Sequence, residues 1–192
     1  MQIINLFKKI FFSFFAVFFI IISAQALSLN KASVILDAPW GMTWLDDNHL
    51  LITQKSGEIF MVNTQKYSQT PIKHNIPSVQ YGQGGMLDII SEENNVWVTC
   101  SIEKDGKHTT AIYHAELSGD SLINEKKIYE ALPYIKSPYH FGSRLELKGD
   151  YLYASIGERG EGMIAQDPTN SIGTITRIHK NGDIPDDNPY VD

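Results

Sequence analysis

Four short clusters gather the residue types that do chemistry: Gly82-Gln83-Gly84-Gly85-Met86-Leu87-Asp88, His140-Phe141-Gly142-Ser143-Arg144-Leu145, Gly157-Glu158-Arg159-Gly160-Glu161-Gly162 and Asn181-Gly182-Asp183-Ile184-Pro185-Asp186-Asp187-Asn188-Pro189. A histidine titrates near working pH and can act as a general base. His140 follows the loop Lys136-Ser137-Pro138-Tyr139 and directly precedes a strand-like run. Taken alone, a loop histidine bonding its local backbone accounts for it at least as well. Gln83 sits among glycines, which allow close approach of backbone to a ligand or simply make a tight turn. The glycines around Glu158 and Arg159 have the flavour of a phosphate loop, yet no helix is expected after them and no Lys-Ser/Thr completes the pattern. The acidic turn ending at Asn188 offers hard oxygen donors for calcium. It lacks the Asp-x-Asp-x-Asp-Gly spacing, and Ile184-Pro185 interrupt it, so a structural turn is the simpler reading.

Other routes to chemistry find little support. His49, His74, His108, His114 and His179 are scattered without ligand spacing, so no metal site is readable. There is no Gly-x-Ser-x-Gly and no Cys–His pair to carry covalent hydrolysis. Cys100, in the apolar run Val96-Trp97-Val98-Thr99-Cys100, reads as a small buried hydrophobe. As the single cysteine it excludes an internal disulfide framework.

The elements that must position these clusters are short strands. Runs rich in β-branched and aromatic residues alternate with Gly, Asn, Asp and Pro turns, which predicts an all-β fold. The runs repeat. Leu50-Leu51-Ile52-Thr53, Val96-Trp97-Val98-Thr99 and Leu152-Tyr153-Ala154-Ser155 read as buried inner strands. Each is followed by a strand of alternating character: Glu58 to Asn63, Ala111 to Glu116, Thr174 to His179. The spacing is 46 residues from Leu50 to Val96 and 56 from Val96 to Leu152. A multi-strand unit of roughly 40–50 residues is the length of a β-propeller blade. A β-sandwich, the competing fold, has no reason to repeat at that length. About three units are present, whereas propellers close with roughly 4–8 blades. The chain therefore reads as a truncated part of a larger ring.

The front end reads as an address. Lys8 and Lys9 precede the apolar run Ile10 to Ile22, and Ser23-Ala24-Gln25-Ala26 supplies the small-residue pattern of a signal peptidase site. The run is well short of the roughly 20 residues a spanning helix needs. Residues 1–26 are thus expected to be a cleaved signal peptide, which implies export, to the periplasm, with no stable membrane anchor. Residues 27–192 would be the mature part, with 14 Lys and Arg against 22 Asp and Glu, a net charge of −8. That balance argues against a nucleic-acid partner.

The order and spacing of the clusters are more telling than any one of them. With Pro39-Trp40-Gly41-Met42 and Ile156-Gly157-Glu158, they resemble the PQQ-dependent soluble aldose sugar dehydrogenases of the glucose/sorbosone dehydrogenase type, from about Pro39 to the end. The resemblance implies a six-bladed propeller that oxidises the anomeric hydroxyl of an aldose with PQQ and Ca²⁺ and passes electrons to an external acceptor. It makes His140 the match to the catalytic base, Gln83 the match to a glutamine at the cofactor and substrate site, and Arg159 a candidate cofactor contact in a loop that varies among relatives. Ser143 stands where a second glycine is common. The calcium ligands and the basic partners of the quinone carboxylates would lie beyond Asp192, so no metal ligand is assigned and the chain alone is expected to be inactive. Two other readings stay open: a non-catalytic exported propeller that binds sugar or protein, and a metal-dependent lactonase-type propeller, for which no converging acidic set is seen.

Overall fold

The computed structural model describes residues 34–189; the expected signal peptide lies outside the described residues. Eleven strands follow in chain order: β1 (Pro39–Asp46), β2 (His49–Gln54), β3 (Ile59–Asn63), β4 (Ser68–Ile72), β5 (Met86–Glu92), β6 (Asn95–Lys104), β7 (Lys107–Ser118), β8 (Ser121–Glu130), β9 (Gly142–Lys148), β10 (Tyr151–Ile156) and β11 (Ile175–His179). They pair as antiparallel meanders into three sheets, β1-β2-β3-β4, β5-β6-β7-β8 and β9-β10-β11. Short turns join the strands of the first two sheets and β9 to β10, which pair as hairpins, whereas a longer connection carrying a 3-10 turn joins β10 to β11. The three expected repeat units are these three sheets, and the expected inner strands are β2, β6 and β10, each paired on both sides. β1 packs beside β5, and β5 beside β9, so the first strands of the sheets gather. This all-β arrangement is consistent with part of a β-propeller.

Period-two alternation stacks the sheets. On β6, Val96, Val98, Cys100 and Ile102 point one way and pack with Leu51, Ile59 and Ile72 of the first sheet. Trp97 points the other way and packs with Leu145, Leu152, Ala154 and Ile178 of the third. The middle sheet is therefore covered on both faces. That explains one departure from expectation. The alternation predicted for Ala111 to Glu116 is absent at its start, where His108 to Ile112 are all buried, because neither face of β7 meets water there. Cys100 is fully buried as expected, and burial pushes its thiol up to about 12, so it is unreactive.

Trp97 is the largest side chain between the second and third sheets. It is 2% exposed, and its indole N–H donates to the carbonyl of Lys180 at 2.9 Å. Truncation leaves a cavity and an unpaired carbonyl. Trp97→Ala is expected to cost about 3–5 kcal/mol in urea unfolding. Trp44→Ala, at a position 59% exposed on β1, should cost well under roughly 1 kcal/mol. Equal losses would contradict the stacking of sheets described above.

Candidate functional site

His140 lies in the turn before β9, and its backbone is left-handed, with φ of 51°. A residue with a Cβ adopts this conformation only where its surroundings dictate it. Three groups do. The backbone N–H of His140 donates to Oε1 of Gln83 at 2.8 Å. Its carbonyl accepts from Nη1 of Arg159 at 2.7 Å. Its ring nitrogen Nδ1 bonds Oε1 of Glu158. The imidazole itself stays half exposed, at 51%.

The Gln83 loop is fixed by close backbone contact. Gly82 has φ of 56°, and a Cβ there would meet the carbonyl oxygen of Pro138 at 2.3 Å. Only glycine fits such a position. The N–H of Gln83 donates to that same carbonyl at 2.8 Å. On the other side Lys55 donates to the carbonyl of Gly82 at 2.5 Å. Tyr81 stacks on His108 with ring centroids 4.1 Å apart, and burial pulls His108 below its usual range, so it is neutral at pH 7. Because a backbone N–H can only donate, the Gln83 carboxamide must turn its oxygen to His140. Its NH₂ then faces away, unengaged among the described residues.

Glu158 follows the end of β10. Gly142 pairs with Ile156, and the same register continued two residues past the strand ends sets His140 opposite Glu158. Close approach is possible because residue 157 is glycine: a Cβ there would sit 1.9 Å from the carbonyl oxygen of His140. The His140 ring and backbone amides, including that of Gly160, hold the Glu158 carboxyl below the usual carboxylate range. Its stabilising bond to the ring is thus fully present above its ordinary value of 4.5 and is lost only as pH falls through the lowered value. A carboxylate can only accept, so Nδ1 carries a proton, and in the neutral imidazole the lone pair is then on Nε2. The arrangement can take a proton at Nε2.

Arg159 is fully buried. Its Nη2 donates to Thr110 Oγ1 at 2.6 Å, and its guanidinium lies 4.0 Å from the centre of the Phe141 ring. Burial pulls it down to about 10, so it remains charged at neutral pH. Both bonded nitrogens serve protein groups, which places Arg159 beneath the His140 backbone and away from solvent. Asp88, also buried, accepts from Arg144 Nη1 at 3.0 Å and from the N–H of Leu145 at 2.9 Å, tying β5 to β9. After the Gly157–Gly162 loop comes a 3-10 turn (Gly162–Gln166), too short to serve as a phosphate-binding helix end. The acidic turn near the end is engaged internally: Asp187 and Asn188 both bond Arg177, each at 2.6 Å. Among the described residues no three His, Cys, Asp or Glu side chains converge on one point.

The structure brings Gln83, His140 and Arg159 together. Glu158 entered the sequence reading only as part of a cluster, with no role; the hairpin register was the signal that pairs it with His140. Ser143 stands at φ of 102°, a region that favours glycine, with its hydroxyl buried and unpartnered.

Residues 36–192 match the family model described as Glucose / Sorbosone dehydrogenase. The chain is 34% identical over 167 residues to the aldose sugar dehydrogenase YliI of Escherichia coli K12, covering 81% of this chain and 45% of that protein. Its structure is similar to that of a glucose dehydrogenase, with a TM-score of 0.80 and 27% identity over 86% of this chain and 51% of the other. It shares its fold with the PQQ-bound aldose sugar dehydrogenase of Streptomyces coelicolor, at a TM-score of 0.72 and 23% identity over 86% of this chain and 51% of that one. The chain spans about half the length of the relatives it matches.

Two measurements check this geometry. In ¹⁵N-resolved NMR at pH 8, the His140 ring should show the Nδ1–H tautomer, and Glu158→Ala should shift it toward Nε2–H; an unchanged tautomer would exclude Glu158 as the orienting group. Ser143→Gly should raise stability by about 1 kcal/mol through relief of the left-handed strain.

Proposed function

Because the chain belongs to the glucose/sorbosone dehydrogenase family, we propose that it forms the base-bearing half of a six-bladed β-propeller that oxidises aldose sugars at the anomeric hydroxyl with PQQ as cofactor. One observation carries this reading. Glu158 fixes the Nδ1–H tautomer of a half-exposed His140, leaving the Nε2 lone pair free. A sugar hydroxyl within hydrogen-bond reach of Nε2 gives up its proton there. The charge that develops on the imidazolium is stabilised by the Glu158 carboxylate. The Gln83 NH₂ is placed beside the base as a donor to substrate or cofactor oxygens. The ring reading is supported by three stacked sheets in a chain about half the length of its relatives.

When bound, PQQ would supply the two-electron acceptor for the hydride leaving the sugar carbon. The free Gln83 amide and the open Nε2 of His140 suit a polar, oxygen-rich group of that kind. PQQ is bound in the Streptomyces coelicolor enzyme of the same fold. Arg159 belongs beneath the base as its positioning residue, since Nη1 and Nη2 of its guanidinium are engaged by His140 and Thr110. Calcium finds no donor set among the described residues, and no step is assigned to it. Export to the periplasm through residues 1–26, and reoxidation by an external electron acceptor, complete the reading.

The test is reconstitution with PQQ, Ca²⁺, an aldose and an artificial electron acceptor. The 192-residue chain should show no turnover, whereas the chain joined to the C-terminal half of the Escherichia coli relative should turn over. In the joined protein, His140→Ala should lower kcat at least ~100-fold with the melting temperature retained. Turnover by the chain alone, or an undiminished rate in the His140 variant, would overturn the proposal.

A further inference from the structure

Tyr139 is a large aromatic side chain open to solvent beside the base. Its ring centroid lies 6.1 Å from that of His140, with the two planes inclined at 54°, and the residue is 55% exposed. Single exposed apolar residues are ordinary on any protein surface. This one is set apart by how it is held and by what it leaves unpaired.

Its backbone is clamped on both sides. The carbonyl of Pro138, just before it, accepts from the N–H of Gln83 at 2.8 Å. The N–H of His140, just after it, donates to Oε1 of the same Gln83 at 2.8 Å. Gly160, whose N–H donates to the Glu158 carboxylate at 3.1 Å, comes up against the ring: a Cβ there would lie 3.9 Å from Cδ2 of Tyr139. The residues that fix the base thus fix the ring beside it. An aromatic side chain held in this way offers a large contact area at little cost in freedom when a ligand binds.

The ring also carries an unused polar tip. Tyr129 and Tyr134 engage their hydroxyls with Thr176 and Glu130, each at 3.1 Å. Among the described residues Tyr139 is hydrogen-bonded only through its backbone N–H, to Ser137 Oγ at 3.4 Å, so its hydroxyl is free. A pyranose has the complementary character: C–H groups gather on a face of the ring, and hydroxyls surround it. Tyrosine matches both parts, with an apolar face and a polar tip. The anomeric hydroxyl exists only in the closed ring, so a base that acts on it meets a pyranose and not an open chain. Tyr139 and His140 set an apolar and a basic surface side by side for such a ligand.

We propose that Tyr139 is a specificity-determining residue of the same site, its exposed ring taking the C–H face of a pyranose whose anomeric edge lies at His140, and that it selects cyclic sugars over open-chain polyols. The aldose-oxidising reading supplies the identity of the ligand, and the first test is therefore one that needs no oxidation.

Methyl β-D-glucopyranoside is blocked at the anomeric oxygen and cannot be oxidised there. With the 192-residue chain, saturation-transfer NMR should show magnetisation reaching its ring C–H protons. Tyr139→Ala should cut that signal at least ~5-fold, whereas Tyr139→Phe, which keeps the ring, should retain it. Sorbitol, an open-chain polyol, should give little. Because the ring is 55% exposed, Tyr139→Ala should melt with the parent. In the joined protein, Tyr139→Ala should raise KM for glucose about 10-fold and leave kcat within about 2-fold, since this contact is made equally in ground and transition states. No signal from the glycoside, an equal signal from Tyr139→Ala or from sorbitol, or a fall in kcat at unchanged KM would overturn the proposal. A joined protein without turnover, in which the glycoside signal still depends on Tyr139, would remove the dehydrogenase reading and leave the sugar contact standing.

Discussion

The buried guanidinium of Arg159 is the interaction on which the candidate site depends. Among the described residues no carboxylate pairs with it; it is held by the carbonyl of His140, the hydroxyl of Thr110 and the face of Phe141. Desolvating a charge in this way is costly, and the cost is tolerable only where the bonds are short and the ring is well placed. In return His140 cannot leave its left-handed backbone without stranding that charge. Thr110 belongs to the middle sheet, and it also donates to the carbonyl of Phe141 at 2.8 Å. The position of the imidazole is therefore set by packing between the second and third sheets, several residues away from its own ring.

That packing follows from a sheet with two apolar faces. One-residue alternation on β6 sends Val96, Val98 and Cys100 to one neighbour and Trp97 to the other, so a register slip would exchange the two cores. Buried polar groups bridge the sheets: Thr53 and Thr99 each bond the first strand of their own sheet and that of the next, and the Asp88 carboxylate bonds β9. These bonds add direction to what apolar burial alone leaves loose. The first strands are thereby aligned, and the turns preceding β5 and β9, which carry Gln83 and His140, come within one hydrogen bond of each other.

Much of this was legible in the residues. The repeat at Leu50, Val96 and Leu152 located the second strand of every sheet, because a buried strand flanked by turns leaves an apolar signature. The same alignment, read one residue at a time, places Thr53 and Thr99 in equivalent positions, although their shared task becomes visible only with the hydrogen bonds. Gln83 and His140 stood out because glycines surround them. Glu158 and Thr110 did not, since their significance lies in which backbone they face. The fate of Arg159 was hidden for a related reason: an arginine in a glycine-rich loop reads as a solvent-facing cation, and only the Phe141 and Thr110 contacts reveal that it points inward. The buried stretch at the start of β7 was equally unreadable, because alternation reports one wet face and this strand has none there.

Among the described residues the side chains that bond His140 come from residues 83 to 159: the Gln83 carboxamide, the Arg159 guanidinium and the Glu158 carboxylate. The ring position is therefore set by neighbours within 76 residues of one another along the chain, counted from Gln83 to Arg159. In the proposed reading such a base is preorganised: the imidazole need not be reoriented when a substrate arrives. Arg159 at the His140 carbonyl and Glu158 at Nδ1 together keep a half-exposed imidazole oriented.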